Sequence, residues 1–404
     1  MRVIYECCAG LDVHKKTVVA CVITPEGQET KTFETMTADL FQLADWLLAK
    51  GVTHVAMEST GVYWKPVYNL LESLDLTLLV VNAEHIKRVP GRKTDAKDAE
   101  WIAEVLQHGL IRGSFIPDRP QRELRELVRH RRVLVQQSSA VANRIQKLLE
   151  GGNIKLGSVA SDVLGASGRA MLEALVRGEG DPEQMADLAR GSLKKKRPEL
   201  MRALRGMVGP HQRLMLESLL RQLDFYAQEI GFLDDEVAKR MGPFEEAIER
   251  LDGIPGIARR SAEDILAEIG TDMSRFPTEA HLASWARICP GNHESAGKRK
   301  SGHTGHANRW LKAALCQAAT AASKKKDSYL QALYKRIVAR RGHKRAIIAV
   351  AHAILVTVYH LLRTGHSYQD LGSNYFDQRD RDRVMRRTVR RLENLGYRVT
   401  LEAA

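Results

Sequence analysis

The sequence predicts an α/β amino-terminal domain followed by a mainly helical remainder, and three observations carry that prediction. Hydrophobic residues make up 44% of the 404-residue chain, enough for sizeable cores in two or three domains. Over residues 1–117, short apolar runs of strand length alternate with segments of helical period. From residue 118 onward the pattern becomes long, charged and helical.

The elements follow in order. Ala9-Gly10-Leu11-Asp12-Val13 reads as a strand leading into a second, Thr17-Val18-Val19-Ala20-Cys21-Val22-Ile23. Pro25-Glu26-Gly27 turns the chain into a third strand over residues 29–33. An amphipathic helix is expected over 40–48, a strand over 52–58, a helix over 62–74 and a strand over 76–81. A further helix opens near Asp95 and Asp98, after Arg92-Lys93-Thr94. The order β-β-β-α-β-α-β-α is that of the RNase H/RuvC-like fold.

That fold would gather four acidic residues: Asp12 on the first strand, Glu58 at the end of the fourth, and Asp95 and Asp98 one helical turn apart. Four carboxylates at one point repel unless cations lie between them. Their hard oxygens suit Mg²⁺ or Mn²⁺, and such a cluster reads as a metal site for phosphodiester chemistry. Taken alone, the pair more often reads as a helix cap, Asp95, followed by a favourable first-turn acid, Asp98.

Charge points the same way. The formal net charge is +13, which favours a polyanionic partner. Basic runs stand at 194–197, 298–300, 324–326, 340–345 and 379–391, mostly in the carboxy-terminal half. The five cysteines are odd in number and lack C-x-x-C spacing, which argues against zinc and against a disulfide framework. A reducing cytoplasm is expected. No leading apolar run marks a secretory signal, and the apolar stretch 346–362, interrupted by His352 and His360, reads as a packed helix rather than a membrane span.

Residues 118–242 read as two long helices around a smaller helical insert, 151–210, an arrangement expected to form an antiparallel coiled-coil arm. The first carries Leu124, Leu127, Val128, Leu134, Val135, Val141, Ile145, Leu148 and Leu149 as its stripe. The second, 211–241, carries Leu214, Leu219, Leu223, Ile230, Leu233 and Val237. A plain helical bundle fits the same pattern. The next part, 243–370, opens with Leu251-Asp252-Gly253-Ile254-Pro255-Gly256-Ile257 before a helix over 258–270. This is a helix-hairpin-helix signature, in which Gly253 and Gly256 would let the backbone approach a phosphate. Residues 289–311 are a loop by composition, dense in Gly and polar side chains. Within it, Ser295 stands beside Lys298, Arg299 and Lys300, with Arg309 beyond. A serine attacking phosphorus needs such cations for the developing charge, although most serines in such loops are turn or phosphate contacts. Residues 371–404 form a basic tail.

Several segments together resemble a known family. They are G-L-D-V-H-K (10–15), A-M-E-S-T-G-V-Y-W (56–64), K-T-D-A-K-D-A (93–99), I-P-G-I (254–257), S-A-G-K (295–298) and H-A-N-R (306–309). In this order they resemble the DEDD-type insertion-sequence transposases of the IS-one-ten family, over residues from about 8 to 362. The resemblance implies a RuvC-like domain, a coiled-coil arm and a carboxy-terminal domain with a nucleophilic serine. It implies Mg²⁺ on Asp12, Glu58, Asp95 and Asp98, and Ser295 as the nucleophile. It also implies an element-encoded non-coding bridge RNA as guide, pairing with donor and target DNA. A homo-oligomer, dimer or tetramer, is implied, with serine and acidic cluster drawn from different protomers, acting in the bacterial cytoplasm at the nucleoid and on no membrane. Where the family commonly has two serines before a glycine, this chain has Glu294 and Ser295, then Ala296; Ser301 is the second candidate.

Three other readings stand beside this one. A metal-only junction resolvase on the same fold would use water as nucleophile. An actin-like ATPase or sugar kinase would place Gly and Thr after the first Asp, where this chain has His14, Lys15 and Lys16. A non-catalytic nucleic-acid-binding protein would have no use for four carboxylates.

Overall fold

The structure is a computed structural model describing residues 2–59, 61–81, 98–179, 181–289, 293–295, 298–301 and 308–402. It divides into two compact units, Met1–Arg119 and Pro120–Ala404.

The first unit is built on a five-stranded sheet of order β3-β2-β1-β4-β5. Strands β1 (Cys8–Val13), β2 (Thr17–Thr24) and β3 (Gly27–Glu34) form an antiparallel meander. Strands β4 (His54–Glu58) and β5 (Thr77–Val81) extend it in parallel from β1. Helices α1 (Thr37–Ala49), α2 (Trp64–Leu71) and α3 (Asp98–Gln107) complete the order expected from the sequence. The expected helix over 62–74 is shorter at both ends.

Strand alternation sorts the side chains onto two faces. Ala9, Leu11, Val13, Val55 and Met57 pack against Leu40, Leu43 and Leu47 of α1 and Val67 and Leu71 of α2. On the other face Cys8 and Ala56 pack against Ile102, Val105 and Leu106 of α3. Gly10 lies between Cys8 and Asp12 on that second face. A Cβ there would stand 2.3 Å from the backbone of both Ala99 and Ala103. Glycine is therefore what lets α3 rest directly on β1.

The second unit opens with α4 (Arg119–Gly151) and continues through an insert of short helices, α5 (Leu156–Val159), α6 (Ala166–Arg177), α7 (Pro182–Asp187) and α8 (Arg197–Ala203). Then comes the long α9 (Pro210–Met241), whose first residue is a proline, which costs a helix no hydrogen bond at that position. Helices α4 and α9 run antiparallel. Val141, Ile145 and Leu149 share a core with Leu216, Leu219 and Leu220. At the other end Glu123 accepts from Arg240 at 3.2 Å, and Asp234 from Arg131 at 3.1 Å.

The chain continues with α10 (Glu245–Asp252), α11 (Arg259–Ile269), α12 (Glu279–Trp285), α13 (Arg309–Ala322), α14 (Tyr329–Arg341) and α15 (His343–Thr364). By length and hydropathy α15 is long and apolar enough to cross a membrane, but Val350, Ala351, Ile354, Leu355 and Val358 are buried inside the unit. Helices α16 (Tyr375–Arg379) and α17 (Arg381–Glu393) end it. The segment 289–311, a loop by composition, holds a small antiparallel ribbon of β6 (His293–Ser295) and β7 (Lys298–Ser301).

Candidate active site

Three of the four predicted acids lie in the first unit near enough for Asp98 and Glu58 to act electrostatically on Asp12. Asp12 follows Gly10 on the α3 face of β1, and Glu58 follows Ala56 on the same face of β4. Leu11 pairs with Met57 in the parallel register, so Asp12 and Glu58 come next along adjacent strands. Asp98 is the first residue of α3, the helix seated on Gly10. Asp95 lies outside the described residues.

Burial pushes the Asp12 carboxyl above the usual aspartate range, and the negative charges of Asp98 and Glu58 push it further. His14 opposes them, its Nε2 lying 3.1 Å from Asp12 Oδ2. Three acidic groups thus share one electrostatic environment at the ends of β1 and β4. Among the described residues, no three His, Cys, Asp or Glu side chains stand close enough to hold a metal ion. Carboxylate oxygens are nonetheless the hard donors that a cation such as Mg²⁺ or Mn²⁺ prefers.

The remaining candidates belong to the second unit. Ser295 is the last residue of β6 and pairs with Lys298, the first of β7. Glu294 pairs with Arg299, and a register shift before it leaves Lys300 unpaired between Arg299 and Ser301. Gly253 and Gly256 lie in the turn between α10 and α11. Gly256 has φ +90°, and a Cβ there would stand 2.2 Å from Ala318 O and 2.6 Å from Ala322 N of α13. Its glycine is already accounted for by this contact between turn and helix. Gly253, with φ −63°, carries no such demand.

Arg309 opens α13, its guanidinium 4.6 Å from the centre of the Trp310 ring. Just before it, Asn308 caps the helix, its Oδ1 accepting from the backbone N–H of Trp310 and Leu311 at 3.1 and 3.2 Å. The Asn308 amide also donates to Glu268 of α11. Glu268 is only 2% exposed and takes both nitrogens of a fork from Arg129, at 2.7 and 2.9 Å. Arg125 adds a contact at 3.3 Å. Burial pulls the Arg125 guanidinium down to about 10 despite Glu268 beside it, which leaves it charged at neutral pH.

Two residues beyond Arg129 on α4, buried Arg131 donates to Glu263 at 2.7 Å and to Asp264 and Asp234 at 3.1 Å. Burial opposes the charge on Arg131, but Glu263 and Asp264 outweigh it and hold the guanidinium above its ordinary value. The carboxyl of Asp264 is pushed up by burial even so. Arg131 therefore holds its charge firmly, while Asp264 is the more strained partner. Sequence reasoning missed this network, which ties α4 and α11 to the capped start of α13, where the serine segment ends.

Two family models match the chain. One, described as transposase and specific to the DEDD type of IS110, matches residues 9–154. The other, described as transposase of the IS116/IS110/IS902 family, matches residues 248–335.

The chain belongs to the IS110 family of transposases.

The family models cover the acidic strands and helix in one match, and the serine ribbon with Asn308 and Arg309 in the other. Among relatives of this IS110-family transposase is the transposase for insertion sequence element IS1111A of Coxiella burnetii. It is 24% identical over 369 residues, spanning 89% of this chain and 90% of the relative. The insertion element IS110 uncharacterized 43.6 kDa protein of Streptomyces coelicolor is 26% identical over 302 residues, 69% of this chain and 73% of its own. A probable family 20 transposase of Pseudomonas aeruginosa is 27% identical over 252 residues, 62% and 64% of the two chains. This protein is thus a bacterial insertion-sequence transposase, a DNA-processing enzyme.

Proposed function

We propose that this transposase cuts and rejoins DNA through a covalent link between Ser295 and DNA, beside an acidic metal site. The observation that best supports the metal site is the shared environment of Asp12, Glu58 and Asp98 on one face of the sheet. A divalent cation, Mg²⁺ or Mn²⁺, held there by Asp12, Glu58, Asp95 and Asp98, would neutralise charge on the scissile phosphate.

The chain's own residues would do the rest. The Ser295 hydroxyl attacks phosphorus; the Oγ–P bond forms as the bond from phosphorus to the 3′ oxygen breaks. The serine proton ends on the departing oxygen, leaving a free 3′-hydroxyl and a phosphoserine. Lys298, Arg299, Lys300 and Arg309 offset the charge that gathers on the phosphoryl oxygens. After strand exchange a 3′-hydroxyl attacks the phosphoserine, and Ser295 leaves with the proton. One phosphodiester is kept throughout as one covalent bond, so no ATP is consumed.

Donor and target DNA would be chosen by base pairing to an element-encoded bridge RNA, within a homo-oligomer working at the nucleoid. The turn at Gly253 and Gly256 would contribute a backbone phosphate contact as part of a helix-hairpin-helix. The experiment is denaturing-gel detection of a protein–DNA adduct on labelled element-end DNA, with co-expressed flanking RNA and Mg²⁺. An adduct lost in Ser295→Ala and in Asp12→Ala is expected. Cut DNA with no adduct would instead identify a hydrolytic, metal-only enzyme.

A further inference from the structure

Helix α17 carries six arginines, no lysine, and only Asp382 and Glu393 as acids. At about 100° per residue, Arg383, Arg386, Arg387 and Arg390 fall on one face. Val384, Met385, Val389 and Leu392 fall on the other. No residue of the helix is buried. Among the described residues, neither its own unit's core nor an ion pair to its arginines accounts for such a face.

The helix is nonetheless held in place. Just before it, Phe376 stacks on Tyr329 of α14, with ring centres 5.3 Å apart, and Tyr375 meets the same ring edge-on at 5.2 Å. Asp370 accepts from the backbone N–H of Tyr329 at 2.8 Å. Asp380, the residue before α17, accepts from Arg336 at 2.9 Å, and the Arg336 guanidinium lies over the Phe376 ring. These contacts fix the root of α17 against α14. Arg340, exposed and one turn beyond Arg336 on the same face of α14, extends the basic surface past that root.

We propose that the arginine face of α17 docks in the major groove of duplex DNA. This rests on the reading of the protein as one that acts on DNA. A rooted helix of 13 residues, about 20 Å long, matches a groove about 12 Å wide. The deep, narrow major groove of A-form RNA does not admit such an element. Arginine rather than lysine suits the task, because its planar fork binds phosphate oxygens in pairs and reads guanine.

The test uses the full-length protein, in EDTA so that no strand is cut, and an arbitrary DNA duplex of about 30 base pairs. Binding is followed by fluorescence anisotropy across a salt series. A variant carrying Arg383→Gln, Arg386→Gln, Arg387→Gln and Arg390→Gln is expected to bind more weakly. Its slope of log affinity against log salt should be shallower by about 3 to 4, near 0.9 for each phosphate that an arginine no longer neutralises. A second variant, Met385→Ser with Leu392→Ser, keeps the basic face and should bind as the parent does. An unchanged slope in the arginine variant overturns the proposal. So does an equal loss in the serine variant, which would make a second copy of the chain the occupant. A larger loss on an RNA duplex of the same length than on DNA overturns it in favour of RNA. If the parent binds no duplex DNA without RNA, the proposal falls alone, because the functional reading selects DNA through the bridge RNA and is decided by the adduct experiment; if the parent binds and the variant matches it, the proposal again falls alone.

Discussion

At the scale of the residue, Asp12 carries the conflict between function and folding. Its carboxyl is partly buried and faces Glu58 and Asp98, so its proton is held more tightly in the folded chain than in the unfolded one. The contribution that follows is fully present below the unfolded aspartate pKa, about 4, and is lost as pH rises through the folded value. At neutral pH the ionised group therefore weighs against folding, and Asn, which mimics the protonated form, relieves it. Asp12→Asn is expected to gain about 1 kcal/mol in stability at neutral pH while abolishing strand joining. The gain should disappear as pH falls below the aspartate range, where the parent is protonated too. Thermal melts of both proteins across pH, without added metal, decide the matter. A lower midpoint for the Asn variant at neutral pH would show that the His14 contact, and not repulsion, dominates at this position.

At the scale of the element, the buried charges of α4 and α11 set the stability of the second unit. Removing one partner of a buried ion pair strands the other, at a cost of about 3 to 5 kcal/mol. Glu268→Ala would leave Arg125 and Arg129 without their shared carboxylate and free the Asn308 amide at the start of α13. It is expected to cost about 3 kcal/mol, and Glu268→Gln less. Urea denaturation reads this directly, and a loss below about 1 kcal/mol would mean that water already shares these groups. The sequence made the long helices legible, because their apolar stripes repeat at helical spacing. It also hid the network, because arginines on a charged helix look solvated. One clue was present: Arg131 occupies the stripe position between Val128 and Leu134, where an apolar residue belongs. The strands of the first unit were legible for the matching reason, since Ala9, Leu11 and Val13 alternate with residues of the other face. The ribbon at 293–301 was not, because strands of three and four polar residues show no alternation and are defined by backbone pairing alone.

At the scale of the whole molecule, the acidic cluster and the serine strand belong to different units of the chain, Met1–Arg119 and Pro120–Ala404. The proposed reaction needs both, and they could be supplied by one chain or by two. Family resemblance favours the second, and mixed oligomers separate the cases. Asp12→Ala keeps the serine and loses the cluster, whereas Ser295→Ala does the reverse. In a two-fold dimer with sites shared between protomers, each mixed dimer has one intact site and one doubly damaged site. Random mixing makes half of the dimers mixed, so about a quarter of the parental sites are restored. Co-expression of the two inactive variants, in equal amounts and with the RNA, is therefore expected to recover about a quarter of parental adduct formation. If every site were built within one chain, each protomer in the mixture would carry its own lesion. The mixture would then be as inactive as either variant alone, and the shared-site arrangement would be wrong for this protein.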